Sequence, residues 1–337
     1  MSKRRILAIM HEDLVPPNTL RGVAENDAIA FRTEWHVVST LKRQRHEVIK
    51  LGLRDEIAPL RHAIEEHKPH LVFNLLEEFH GEATFDQHVV AYLELLRQPY
   101  TGCNPRGLTL ARDKALSKKI LAYHRIPVPK FFVVPRGRKP KRPRRIDLPL
   151  IVKSLVEEAS TGISQASVVD SDEKLNERVR FIHERVRTDA IVEQYIEGRE
   201  IYVGVLGNDR LTTFPTWELI LDDMPDSSIR IATEKVKWDD AYRWKHRIDT
   251  RAAKLEEADD RRVQALARRI YRRLGLSGYA RLDFRLRSDG TPFLLEANPN
   301  PNIARDDEFA LSARHAGWKY QRLLSRILRL GLRAAGQ

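Results

Sequence analysis

Apolar positions in this chain come in short runs separated by stretches with helical spacing. The first run, Arg5–Met10, reads as a buried strand. Phe31, Trp35, Val38 and Leu41 recur at helical intervals and predict a helix over Phe31–Arg43. A strand at Glu47–Leu51, a helix near Glu56–His67 opened by Asp55, and an apolar strand at His70–Leu76 follow. Strands alternating with helices imply a parallel sheet with crossover helices. A helix over Phe85–Arg97 then ends at the turn Pro99-Tyr100-Thr101-Gly102, so residues 1–104 are expected to form one α/β domain.

The next portion changes character. Asp113–His124 reads as a helix broken by Ile126-Pro-Val-Pro, and Lys130–Val134 as a strand. Strands at Leu148–Ser154 and Gln165–Val169 flank the small-residue loop Ala159–Gly162. Asp172–Arg187 is predicted as a helix, with Asp170, Ser171 and Asp172 placed to cap it, and strands follow at Ala190–Tyr195 and Glu200–Val205. This is a small α+β unit over 105–198. From 199 to 337 the pattern gives a strand pair in Leu211–Leu221, a long polar loop from Asp222 to Arg251, an amphipathic helix over Asp259–Leu274, and a hairpin. The hairpin joins Gly278–Leu286 to Thr291–Ala297 around Ser288-Asp289-Gly290.

Charge changes this picture little. The net charge is +12, and much of the excess lies in the proline-rich stretch Pro135–Arg145 and in a C-terminal helix carrying Arg314 to Arg333. The first is expected as a loop or hairpin tip. Neither stretch interleaves aromatics with its basic residues, so neither argues for nucleic acid. No apolar run approaches the ~20 residues that cross a bilayer, which argues against a membrane protein. The single cysteine, Cys103, allows no intrachain disulfide, and a cytoplasmic location is expected.

The chemistry concentrates in the last hairpin. Arg281 and Asp283 share one face of a strand, and Glu296 and Asn298 share one face of the next. Antiparallel pairing brings two carboxylates and an amide oxygen together, hard donors that suit Mg²⁺, while Leu282, Phe284, Leu294 and Leu295 supply the buried side. Lys114 near a helix start and Lys153 at the end of Leu150-Ile-Val are placed to neutralise phosphates, with backbone N–H groups of Ala159–Gly162 completing a cradle. Val192 to Glu200 leaves one strand and enters another through a Gly198 turn, offering groups to a purine and a ribose.

Together these residues resemble the ATP-grasp superfamily, in its D-alanine–D-alanine ligase-like branch. The resemblance runs from about Val72 to Asn298 and rests on Pro99-Tyr-Thr-Gly, Asp113-Lys114, Leu150-Ile-Val-Lys153, Val192-Glu193 through Glu200, and Ala280-Arg-Leu-Asp283 through Leu295-Glu-Ala-Asn298. It implies an N-terminal parallel-sheet domain followed by a two-part ATP-grasp fold, with ATP between two antiparallel sheets. It further implies that Lys114, Lys153 and the loop with Ser160 contact phosphates, that Glu193 and Ile196 face adenine, and that Glu200 holds ribose. Asp283, Glu296 and Asn298 would bind Mg²⁺, for which Mn²⁺ substitutes. Arg281 would offset the oxyanion of the tetrahedral intermediate, and Lys235 or Lys237 would sit on a closing loop. The implied activity is ATP-dependent ligation of a carboxylate to an amine through an acyl phosphate.

The substrate half departs from the family. Its glycine-serine-serine loop is Glu157-Glu158-Ala159-Ser160-Thr161-Gly162 here, and Pro299 to Asp307 replaces the stretch leading to a substrate-binding serine. The family's His-Gly falls on Glu77-Glu78, and its N-terminal amino-group motif is missing from Ile9–Pro17. Glu77, Glu78, Glu157 and Glu158 are candidate determinants for a cationic or amine-bearing substrate, and Arg305 for a carboxylate. The expected partners are amino acids or peptides, with a different substrate pair from two D-alanines and with a homodimer left open. The alternative is a non-catalytic nucleotide-binding module that regulates or bridges a partner.

Overall fold

The computed structural model describes residues 2–157, 160–221, 223–225 and 228–334. Glu158 and Ala159, named above as a substrate determinant and as part of the cradle, lie outside them. A first sheet contains β1 (Arg5–His11), β2 (Glu47–Leu53) and β3 (Leu71–Asn74), all parallel in the order β2-β1-β3. Ile6 to Met10 have no solvent exposure because helices cover both faces. Leu7 and Ile9 pack with Leu60, Val89 and Leu93 on one side. Ile6, Ala8 and Met10 pack on the other with Val37, Val38 and Leu41 of the helix Arg32–Arg43, and with Leu323, Leu324 and Ile327 from the end of the chain.

The expected basic C-terminal helix is in fact two, Glu308–His315 and Tyr320–Ala334, separated at Gly317 with φ of 78°. The second returns to the first sheet. Its Arg322, Arg329 and Arg333 are exposed, while its leucines complete the core of residues far upstream.

A second sheet holds β4 (Phe131–Val134), β5 (Leu150–Ser154), β6 (Val168–Val169) and β7 (Ala190–Gln194), antiparallel in the order β4-β7-β5-β6. Leu150, Val152 and Val192 pack on Leu175 and Val179 of the helix Asp172–Phe181. That helix is capped by Ser171, whose hydroxyl accepts from the Lys174 amide at 3.2 Å, and it gives way to a π turn at Ile182–Val186 instead of running regularly to Arg187. The basic stretch 135–145 is not a hairpin tip. β7 stands between β4 and β5, so that stretch belongs to a crossover. Only Val168–Val169 pairs in the segment expected as a longer strand, because Gln165–Ser167 coils into a 3₁₀ turn.

The third sheet contains β8 (Arg199–Leu206), β9 (Thr212–Thr213), β10 (Trp217–Ile220), β11 (Asp249–Ala252), β12 (Tyr279–Leu286) and β13 (Pro292–Pro299). Its order is β11-β10-β8-β12-β13, with β9 on β8, and all pairings are antiparallel. Ile201, Val203, Leu282 and Phe284 bury one face against Val263, Ala267 and Ile270 of the helix Glu257–Arg273. Alternation then puts Glu200, Tyr202, Arg281, Asp283, Arg285, Glu296 and Asn298 on the opposite face. Within the expected loop from Asp222 to Arg251, the described residues form the helices Glu234–Trp238 and Asp240–Lys245 and the strand β11. The helices Glu25–Ala30 and Pro105–Arg112 go beyond the elements that the apolar pattern predicts. No helix among the described residues is long and apolar enough to cross a membrane.

Candidate active site

The second and third sheets face each other across a cleft of about 720 Å³, open mouth included, within the usual range for small-molecule sites. Its walls include Lys114, Lys153, Glu157, Ser160, Glu193, Ile196, Glu200, Lys237, Asp283 and Glu296. Positions spread along more than half of the chain thus meet in one place.

On the second sheet, β5 and β7 pair with Ile151 opposite Glu193, so Lys153 and Glu193 share a face. The Lys153 ammonium lies 3.2 Å from one Glu193 carboxylate oxygen, and Lys118 lies 2.9 Å from the other. Burial opposes ionisation of Glu193, but the two ammoniums outweigh it and hold the carboxyl below its ordinary range. Lys114, at the first turn of the helix Lys114–Tyr123, donates to the Glu157 carbonyl.

On the third sheet, Asp283 stands opposite Glu296, and Arg281 opposite Asn298. Arg281 grips both oxygens of Asp283, at 2.9 and 3.0 Å, and its remaining nitrogen reaches Glu308 at 3.3 Å. The Asn298 amide nitrogen donates to Asp283 at 2.9 Å, which leaves the amide oxygen as an acceptor. Burial raises the Asp283 carboxyl to about 6 despite Arg281. Glu296 is also desolvated, yet the ammoniums of Lys114, Lys237 and Lys153 and the charge of Arg281 bring it down to about 2. Among the described residues no three His, Cys, Asp or Glu side chains gather as a metal cage. Two carboxylates and an amide oxygen fit Mg²⁺ better than zinc, since Mg²⁺ keeps water and phosphate oxygens as further ligands.

Two rims meet over the cleft. Ser160, itself left-handed at φ 62°, donates to the Ala232 carbonyl at 2.9 Å. The Gln165 side chain makes a two-way bond with the Ile229 backbone, at 2.8 and 3.0 Å. These contacts lead into the helix Glu234–Trp238, which is capped by Thr233 and carries Lys237 to the cleft wall. Lys235 is on the same helix but does not line the cleft.

Arg281 and Asn298 adjoin the cleft at Asp283, to which both are hydrogen-bonded. The other expected residues sit elsewhere. Arg305 donates to the Thr40 hydroxyl at 3.1 Å and stacks on the Tyr320 ring, so its guanidinium helps join the last helix to Arg32–Arg43. Glu78 lies 3.5 Å from His11 at the end of β1, and Glu77 is exposed beside it.

Three residues of the site are absent from the sequence reading. Arg285 is buried at 2.8 Å from Glu200, whose other oxygen accepts from the Tyr202 hydroxyl at 3.1 Å. Glu308 completes the Arg281 cluster, and its carboxyl is held down to about 2 by the adjacent Asp307 and Arg281, which outweigh burial. Lys118 is 1% exposed. Its position four residues after Lys114 places it on the same helical face, a signal present in the sequence.

A cleft between two antiparallel sheets, with lysines on its walls and paired acids on its floor, defines an ATP-grasp ligase of the D-alanine–D-alanine ligase-like branch. The chain belongs to the family described as D-ala D-ala ligase C-terminus, whose pattern matches residues 120–329. Members of this family are ATP-dependent ligases that form carbon–nitrogen bonds. The chain is 33% identical over 258 residues to the uncharacterised protein y4sG of Sinorhizobium fredii, covering 77% of this chain and 73% of that one. It is 28% identical to the D-alanine–D-alanine ligase of Pelotomaculum thermopropionicum, over 94% and 96% of the two chains. Its fold matches the D-alanine–D-alanine ligase from Bacillus anthracis complexed with ATP, with a TM-score of 0.75 and 23% identity over 99% of both chains.

Proposed function

We propose that this protein joins a carboxylate to an amine by phosphorylating the carboxylate with ATP, and that its substrate pair is not two D-alanines. The observation carrying this reading is the convergence of Lys114, Lys153 and Lys237 on the cleft whose floor is Asp283 and Glu296. Three ammoniums set against the Asp283–Glu296 pair in a partly desolvated space suit a nucleotide polyphosphate that arrives with a divalent cation.

In this reading Lys114 and Lys153 hold phosphates, with Ser160 at the rim, and Lys237 closes over them with Lys235 behind it. Ile196 and the Glu193 strand face adenine, and Glu200, oriented by Arg285 and Tyr202, holds ribose. Asp283, Glu296 and Asn298 would hold Mg²⁺, which would offset charge on the transferring phosphoryl group. The substrate carboxylate oxygen takes that group, an amine attacks the acyl carbon, and phosphate leaves. Arg281 would offset the charge on the oxyanion, and the closed rims exclude water that would otherwise hydrolyse the acyl phosphate.

The substrate assignment is supported by what occupies the other end. Glu157 lies beside Lys114 and Arg305 is turned to Thr40, while Asp307 and Glu308 place acids beside Arg281. Small amino acids or peptides acting in the cytoplasm fit this reading, as does a division into units at 1–104, 105–198 and 199–337.

A screen of ADP release over pairs of amino acids and peptides with Mg²⁺ tests it. Release is expected only when an acid and an amine are both present, and Asp283→Ala should lower it roughly 100-fold or more. Full activity in Asp283→Ala would remove that residue from the mechanism. Nucleotide binding without turnover on any pair would favour the non-catalytic module.

A further inference from the structure

Lys118 reaches both of the sheets that form the cleft. It emerges from the helix Lys114–Tyr123, pairs with Glu193 of the second sheet, and donates to the backbone carbonyl of Leu295 in the third. The Leu295 carbonyl is offered by a β-bulge. Asp283 pairs with Glu296 but Phe284 pairs with Leu294, so Leu295 has no opposite residue and falls outside the ladder. Glu193 itself is fully buried. It is shared between two ammoniums, Lys118 on one oxygen and Lys153 on the other, so the triad carries one net positive charge.

We propose that Lys118 is a positioning residue for the nucleotide. It neutralises Glu193 so that the Lys153 charge stays directed at phosphate, and it pins the bulge that presents Glu296 on the cleft floor. The inference rests on the ligase reading only in taking the ligand to be a nucleotide. Without the Lys118 charge, Glu193 would take Lys153 entirely and the pair would be neutral toward phosphate. The Leu295 carbonyl would also lose its donor, which loosens the bulge beside Glu296.

Lys118→Met keeps the length of the side chain and removes the charge. It is expected to weaken binding of Mg-ADP, measured by calorimetry, roughly tenfold or more. The KM for ATP should rise more than kcat falls, and Lys118→Arg should recover part of the affinity. The second arm is the double variant Lys118→Met with Glu193→Gln, which restores one net positive charge and should bind Mg-ADP more tightly than Lys118→Met alone. Unchanged affinity in a folded Lys118→Met would overturn the proposal. So would a double variant no better than the single one, or a loss of urea stability with KM unmoved, which marks a purely structural lysine. If Lys118→Met does not fold, the Lys118→Arg and double variants carry the same comparison. Failure of the wild-type protein to bind Mg-ADP would instead count against the ligase reading itself.

Discussion

Glu34 shows how far a single residue can depart from its surroundings. It is 5% exposed on the helix Arg32–Arg43, and burial, reinforced by the nearby Glu77, raises its carboxyl from 4.5 to about 7. The folded protein therefore binds more protons than the unfolded chain between those two values, and this group makes stability fall as pH rises across that window. Glu34→Gln should remove the effect. The variant is expected to gain on the order of 3 kcal/mol over the wild type at pH 8 and much less at pH 5, read by urea unfolding. An equal gap at both pH values would mean the carboxyl is not desolvated as described.

At the scale of elements, the last hairpin is the most legible part of the site. Its two strands are joined by a short turn, and period-two alternation assigns Arg281, Asp283, Glu296 and Asn298 to one face without any long-range knowledge. Lys118 is hidden for the opposite reason: its burial depends on Glu193 and Leu295, which are distant in sequence. The stretch 135–145 reads as a loop or a hairpin tip, and its place in a crossover is hidden because strand order is a tertiary property, while the π turn at Ile182–Val186 leaves the periodicity of its helix almost unchanged. The helix Tyr320–Ala334 makes a sharper test of packing against propensity. Alanine favours a helix over glycine by about 1 kcal/mol, yet a Cβ at Gly331 would lie 2.2 Å from the Tyr100 carbonyl oxygen. Gly331→Ala should thus destabilise by about 1–3 kcal/mol, seen as a lower urea midpoint. A higher midpoint would show that the helix can shift away from Tyr100.

The molecule as a whole divides its charge between work and surface. Lys114, Lys118, Lys153 and Lys237 gather at the cleft, whereas Lys42, Arg43, Arg45, Arg322, Arg329 and Arg333 are exposed and have no ion pair among the described residues. The basic total therefore says little about function until the fold separates the two groups. What the fold adds is a closed arrangement in which the second and third sheets are joined through Gln165, Ser160 and Lys118 around a space suited to a nucleotide and an activated acid. In the proposed reaction the acid is activated by phosphorylation. A carboxylate substrate labelled with ¹⁸O, found through the ADP-release screen, tests it most directly. Activation through an acyl phosphate moves an ¹⁸O atom from the carboxylate to inorganic phosphate with each amide formed. Label appearing in AMP, or phosphate released without label, would contradict it.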